Sequence, residues 1–142
     1  MRPARLVRRS ALATAAVALL GLLNAPAAHA DWSSYIHSWT DGEQSRRWDD
    51  QSNTGVSFEG CSQQWGNQDL VDVQLWEDIS FWPDDQQGET RRATACFRPD
   101  EVSTGIWTGL SPGSYYFETD RIANGGSCCL LFVSDVWVDT TP

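Results

Sequence analysis

The chain contains no lysine; its ten basic residues are all arginines, four of them within the first nine positions (Arg2, Arg5, Arg8, Arg9). From Asp31 onward six arginines stand against nineteen acidic residues, a net charge of about -13 compared with -9 for the whole chain. So acidic a surface repels phosphate backbones, because nucleic-acid binding rests on Lys and Arg displacing counterions. Nucleic acid and anionic membranes are therefore not expected as partners, and the charge is read first as a solubility device. The missing lysine points to high-GC coding bias and not to a mechanism.

Histidine is almost as scarce. His29 falls in the leader described below, which leaves His37 as the only imidazole for a Ser-His-Asp or Cys-His site. There is no G-x-S-x-G, no H-E-x-x-H and no C-x-x-C, so nucleophile-elbow, zincin and zinc-ribbon chemistries have no anchor here. Paired carboxylates for glycoside hydrolysis are a property of the fold and cannot be picked out by spacing. No cofactor is expected. Long apolar runs are limited to Ala11–Leu23, thirteen residues against the roughly 20 needed to cross a bilayer. With the arginines before it and Ala28-His29-Ala30 after it, this run reads as a cleaved secretion signal (1–30) followed by one secreted domain (31–142), with no stable membrane anchor.

No window after Asp31 carries a helical apolar stripe, and no repeat or low-complexity tract interrupts it. Alternation with period two dominates. Val71, Val73 and Leu75 alternate with Asp72, Gln74 and Trp76 over Val71–Glu77, and Arg91–Arg98 repeats the device. Gly105–Leu110 and Ser114–Asp120 read as strands around the Ser111-Pro112-Gly113 turn. The run Cys128–Asp139 is strongly β-forming, with a bulge at Ser134-Asp135, and its first half, Cys128–Val133, apolar on both faces, is placed centrally in a sheet. Thr54–Cys61 reads as a strand, with Ser45–Asp49 as an edge strand beside it; Asp31–Thr40 stays ambiguous. The expectation is an all-β domain of roughly 6–8 strands, a small antiparallel β-sandwich (jelly-roll or Ig-like) or a barrel.

Four cysteines, Cys61, Cys96, Cys128 and Cys129, read as two disulfides in a small exported domain. Three connectivities are open. If Cys128 and Cys129 sit in an extended strand they face opposite ways, which favours two long bridges over a Cys61–Cys96 bridge plus a vicinal one.

Eight tryptophans are several times what a domain of this size needs. Alternation puts Trp76 and Trp137 on polar strand faces, and exposed aromatics on a rigid sheet can stack on sugar rings or anchor a protein. Trp76, Trp137, Trp82, Trp48 and Tyr116 are the ligand-binding candidates. The acidic stretch Glu77–Glu89 offers Asp84, Asp85 and Glu89 as weak Ca²⁺ ligands, although the spacing is not that of an EF-hand loop. Arg46-Arg47 and Arg91-Arg92 are the adjacent basic pairs after Asp31, and could serve as bait for a trypsin-like protease. In size, cysteine count and β content the chain loosely resembles the small secreted amylase inhibitors of bacteria. Those present a Trp-Arg-Tyr triplet; the nearest stretch here, Arg46-Arg47-Trp48, runs in a different order, and no family is assigned on it. The leading expectation is a secreted, non-catalytic module that binds an extracellular polysaccharide or protein partner. An inhibitor of an extracellular hydrolase comes second. A small hydrolase, with Glu77, Asp84 and Asp85 as its first carboxylates to mutate, comes third.

Overall fold

Residues with period-two alternation pack as two antiparallel sheets in this computed structural model, which describes residues 31–142. The segment 1–30, read above as a secretion signal, lies outside the described residues. The strands are β1 (Trp32–Trp39), β2 (Trp48–Asp50), β3 (Asn53–Gln64), β4 (Val71–Glu77), β5 (Asp85–Ala93), β6 (Val102–Thr108), β7 (Gly113–Ile122) and β8 (Leu130–Asp139). A 3₁₀ turn, Ala95–Phe97, lies between β5 and β6. One sheet has the order β1-β8-β3-β6 and the other β2-β7-β4-β5. Eight strands in two packed sheets make the antiparallel sandwich that the alternation predicts.

The two inner faces supply the core. Val56, Phe58, Trp107, Val136 and Val138 from the first sheet meet Val71, Val73, Leu75, Tyr115 and Phe117 from the second, none more than 2% exposed. Phe117 is the hub, with ring centroids of Trp32, Trp39, Trp48 and Phe58 between 5.6 and 6.4 Å away. Each such side chain contributes about 1.5–3 kcal/mol by leaving water. On the β5–β6 side the Trp107 indole N–H donates to the Glu89 carbonyl at 3.0 Å, and Arg91 Nε to the Ile106 carbonyl at 3.2 Å, tying the sheets together.

The bulge expected at Ser134-Asp135 is present, and it sets the phase of the core. Opposite β1, the pairs Ser34↔Val136 and Ile36↔Val133 leave one β1 residue facing these two. The buried positions of β8 accordingly change from Leu131 and Val133 to Val136 and Val138. β3 changes phase at the same height, from Val56 and Phe58 to Cys61, around Gly60 at φ +65°. A Cβ on Gly60 would lie 2.6 Å from the Ser134 hydroxyl oxygen, so glycine is required by both backbone and space.

Three expectations are corrected. Cys61 bonds Cys96, across a Cα separation of 5.1 Å, and Cys128 bonds Cys129. The long-bridge reading assumed an extended Cys128-Cys129, but β8 starts at Leu130. The two cysteines belong instead to a turn in which Ala123, Gly125, Gly126 and Ser127 all have positive φ. Ser45–Asp49 does not pair with β3; only Trp48–Asp50 is strand, and it pairs with β7 through Trp48↔Tyr115. The buried Asp50 carboxylate accepts the Gln51 and Ser52 amides and the Thr54 hydroxyl, and this turn carries the chain from one sheet to the other. The strand read over Arg91–Arg98 ends at Ala93. There the Phe97 and Arg98 amides bond back to Thr94 and Ala95, and Cys96 is drawn inward to Cys61.

Candidate functional site

The eight indoles do not form one stripe. Trp32 (7% exposed), Trp48 (7%) and Trp107 (2%) are core residues, and Trp39, Trp76 and Trp137 are half-buried. Trp65 (72%) and Trp82 (76%) are exposed, but in the β3–β4 and β4–β5 connections, at opposite ends of β4. Two of the candidates for ligand contact are buried. Trp48 packs against Trp32 and Phe117 and gives its N–H to the Thr54 hydroxyl at 3.2 Å. Tyr116 faces outward by alternation yet is 2% exposed, because the Arg47 guanidinium lies 4.0 Å over its ring and its hydroxyl donates to Asp84 at 2.6 Å. Burial first, and then the bond to Asp84, push its phenol well above the usual range.

The outer face of the second sheet is polar and internally bonded. Gln74, 3% exposed, accepts from Gln86 and Thr90 through its carbonyl and donates to the Leu75 and Gln87 carbonyls. It fills the bulge where β5 runs through Gly88 (φ +57°) between the pairs Val73↔Arg91 and Leu75↔Gln87. Asp72 takes two bonds from Arg92, at 2.7 and 3.0 Å, and lies 3.1 Å from Arg121. The hydrogen bond and charge of Asp72 raise the Arg92 guanidinium above its ordinary value.

The calcium candidates separate. Asp84 is engaged with Tyr116 and the Ile79 amide, while Asp85 and Glu89 stand exposed along β5. Among the described residues no group of three His, Cys, Asp or Glu is placed to hold a metal. Gln87 donates to both Glu77 and Asp85 at 3.3 Å, which makes these carboxylates members of a surface hydrogen-bond cluster. His37 contacts Ser38 through Nδ1 at 3.0 Å and meets the Phe132 ring edge-on.

The outer face of the first sheet is different. Register places Ser33, Trp137, Ser57 and Thr104 in one row across all four strands. The flanking rows are Asp139, Gly55 and Ile106 on one side and Asp135, Glu59 and Val102 on the other. Tyr35 (70% exposed), Val102 (42%) and Ile106 (44%) open to solvent on this face, with the half-buried Trp137 between them. Ser57 and Thr104 hydroxyls share a 2.8 Å hydrogen bond beside it. At about 4.8 Å per strand the face spans roughly 14 Å. The sequence singled out Trp137 and missed Tyr35, Val102 and Ile106. Tyr35 alternates with Ile36 in β1, the one segment whose pattern stayed ambiguous, and the other two join Trp137 only through strand order.

A cavity of about 110 Å³ opens along the β1 edge, between β1 and the Ser45-Arg46 backbone, with Trp32, Trp39 and Phe117 in its walls. No family model matches the chain, and no curated protein and no solved structure is significantly similar to it.

Proposed function

We propose that this chain is a secreted, non-catalytic binding module that lays an extracellular polysaccharide across the outer face of its first sheet. Trp137 forms the stacking platform, Tyr35, Val102 and Ile106 extend the apolar contact, and Ser57, Thr104, Glu59 and Asp135 supply hydrogen-bonding groups to sugar hydroxyls. The observation that carries the reading is the contrast between the two outer faces. The second sheet bonds its polar groups to one another around the half-buried Trp76, whereas the first presents a phenol and two aliphatic side chains to solvent around the half-buried Trp137. Flat faces with aromatic anchors and a polar surround suit extended, uncharged ligands, and the net charge from Asp31 onward disfavours polyanionic ones.

The arginine pairs give less support to an inhibitor. Arg47 is bonded to Asp78, Arg92 to Asp72 and Arg91 to a backbone carbonyl, so three of the four are held within the protein. The test is retention of the folded protein on insoluble glycans such as cellulose, chitin and xylan. Trp137→Ala is expected to weaken retention at least tenfold, about 1.4 kcal/mol, while Trp76→Ala on the opposite face leaves it unchanged. Absence of retention on every glycan, or equal loss in both variants, rejects the proposal.

A further inference from the structure

The cavity at the β1 edge combines two features that no other part of the described structure brings together. Its walls are aromatic and aliphatic: Trp32, Ile36, Trp39 and Phe117. A dry cavity of about 150 Å³ accepts a benzene, so an open cleft of about 110 Å³ accepts one ring and little more. Arg46 also lines it, exposed, with its guanidinium 4.6 Å over the Trp32 ring. Among the described arginines, Arg47, Arg92, Arg98 and Arg121 contact carboxylates and Arg91 a carbonyl, whereas the Arg46 guanidinium has neither. Trp32, 7% exposed, lies beneath that guanidinium and lines the cavity with its ring.

The backbone holding these groups is fixed. Ser45, 5% exposed, donates its hydroxyl to the Arg46 carbonyl at 2.8 Å and accepts the Phe117 amide at 3.0 Å, so the position of Arg46 over the cavity is tied to the hub of the core. An apolar slot for one ring beside a cation without a carboxylate partner describes a compact ring with one carboxylate. A larger polyanion meets the repulsion of nineteen acidic residues; a single carboxylate beside Arg46 does not meet it to the same degree.

We propose that the β1-edge cavity is a binding site for a small monocyclic aromatic carboxylate. Its ring packs against Trp32 and Trp39, and its carboxylate pairs with Arg46. Tyr35 lines this cavity and also borders the Trp137 face, but Arg46 and Trp32 have no part in that face, so either proposal can fail alone. The test is titration of the ¹⁵N-labelled protein with phenylacetate, read at the tryptophan indole resonances. A saturable shift of the Trp32 indole peak in the millimolar range is expected, with phenylacetamide and acetate each at least tenfold weaker. Arg46→Gln changes an exposed side chain and leaves the core untouched. It is expected to weaken phenylacetate about tenfold and to leave phenylacetamide unchanged. No shift of the Trp32 peak, equal affinity for acid and amide, or an Arg46→Gln variant that binds phenylacetate like the parent overturns the proposal.

Discussion

Tyr115 and Tyr116 are neighbours on β7 that face opposite ways, and both are buried. Tyr115 points into the core and donates to the Ser111 carbonyl; burial first, then the charges of Glu77 and Asp50, raise its phenol. Tyr116 points outward and is buried by Arg47 and Asp84, which come from other segments of the chain. Periodicity reports which face a residue takes, not what folds over that face, and this is why Tyr116 and Trp48 are legible as strand residues while their burial is not. The raised phenols carry a consequence for pH. A tyrosine ionises at about 10 in an unfolded chain and later in this fold, so the neutral form is favoured by folding. The stability these residues contribute is complete below pH ~10 and is lost as pH rises beyond it toward their folded values. Denaturant unfolding at stepped pH should show this decline together with phenolate absorbance. Tyr116→Phe should lower stability at neutral pH by about 1–2 kcal/mol, since it strands an Asp84 oxygen, and should flatten the alkaline decline. An unchanged alkaline slope would contradict the assignment.

At the scale of elements, strands were legible where alternation was uninterrupted, and β4 falls on Val71–Glu77 as read. Boundaries failed where the chain leaves a sheet through side-chain chemistry, at the Asp50 turn and at the Thr94-to-Arg98 turn, because one or two hydrogen bonds there override a good β pattern. The cysteine pairing failed for a related reason: a glycine-rich turn, and not an extended strand, holds Cys128 and Cys129. The two bridges should therefore differ sharply in their effect. Cys61–Cys96 closes a 35-residue separation and should contribute about 3–4 kcal/mol by restricting the unfolded chain, whereas a bond between adjacent residues closes almost no loop. Chemical denaturation should find Cys61→Ala/Cys96→Ala severely destabilised and Cys128→Ser/Cys129→Ser within about 1 kcal/mol of the parent. Gly60 is the matching backbone feature. Gly60→Ala forces an L-residue to φ +65° against Ser134 and should lose about 2 kcal/mol by the same measurement.

The charge of the whole molecule was legible from composition, but its distribution relative to the faces depends on strand order, which alternation cannot give. Six arginines and nineteen carboxylates share one small sandwich, and four ion pairs among the described residues take up Asp72, Asp78 and Glu101. Exposed pairs contribute about 0–1 kcal/mol each, so added salt removes little by screening them. The long-range repulsion among the remaining carboxylates responds more, since the Debye length falls from about 30 Å at 0.01 M to about 8 Å at 0.15 M. Repulsion should win. Thermal melting at pH 7 is expected to rise by about 4 °C between these two salt concentrations, the equivalent of roughly 1 kcal/mol for a domain of this size. The same comparison near pH 4.5 should show a smaller rise, because partial protonation reduces the net negative charge that salt would otherwise screen. A fall in melting temperature with salt at pH 7 would mean that the ion pairs around Asp72 outweigh the repulsion, and that the polar face of the second sheet is a larger part of the stability than its exposure implies.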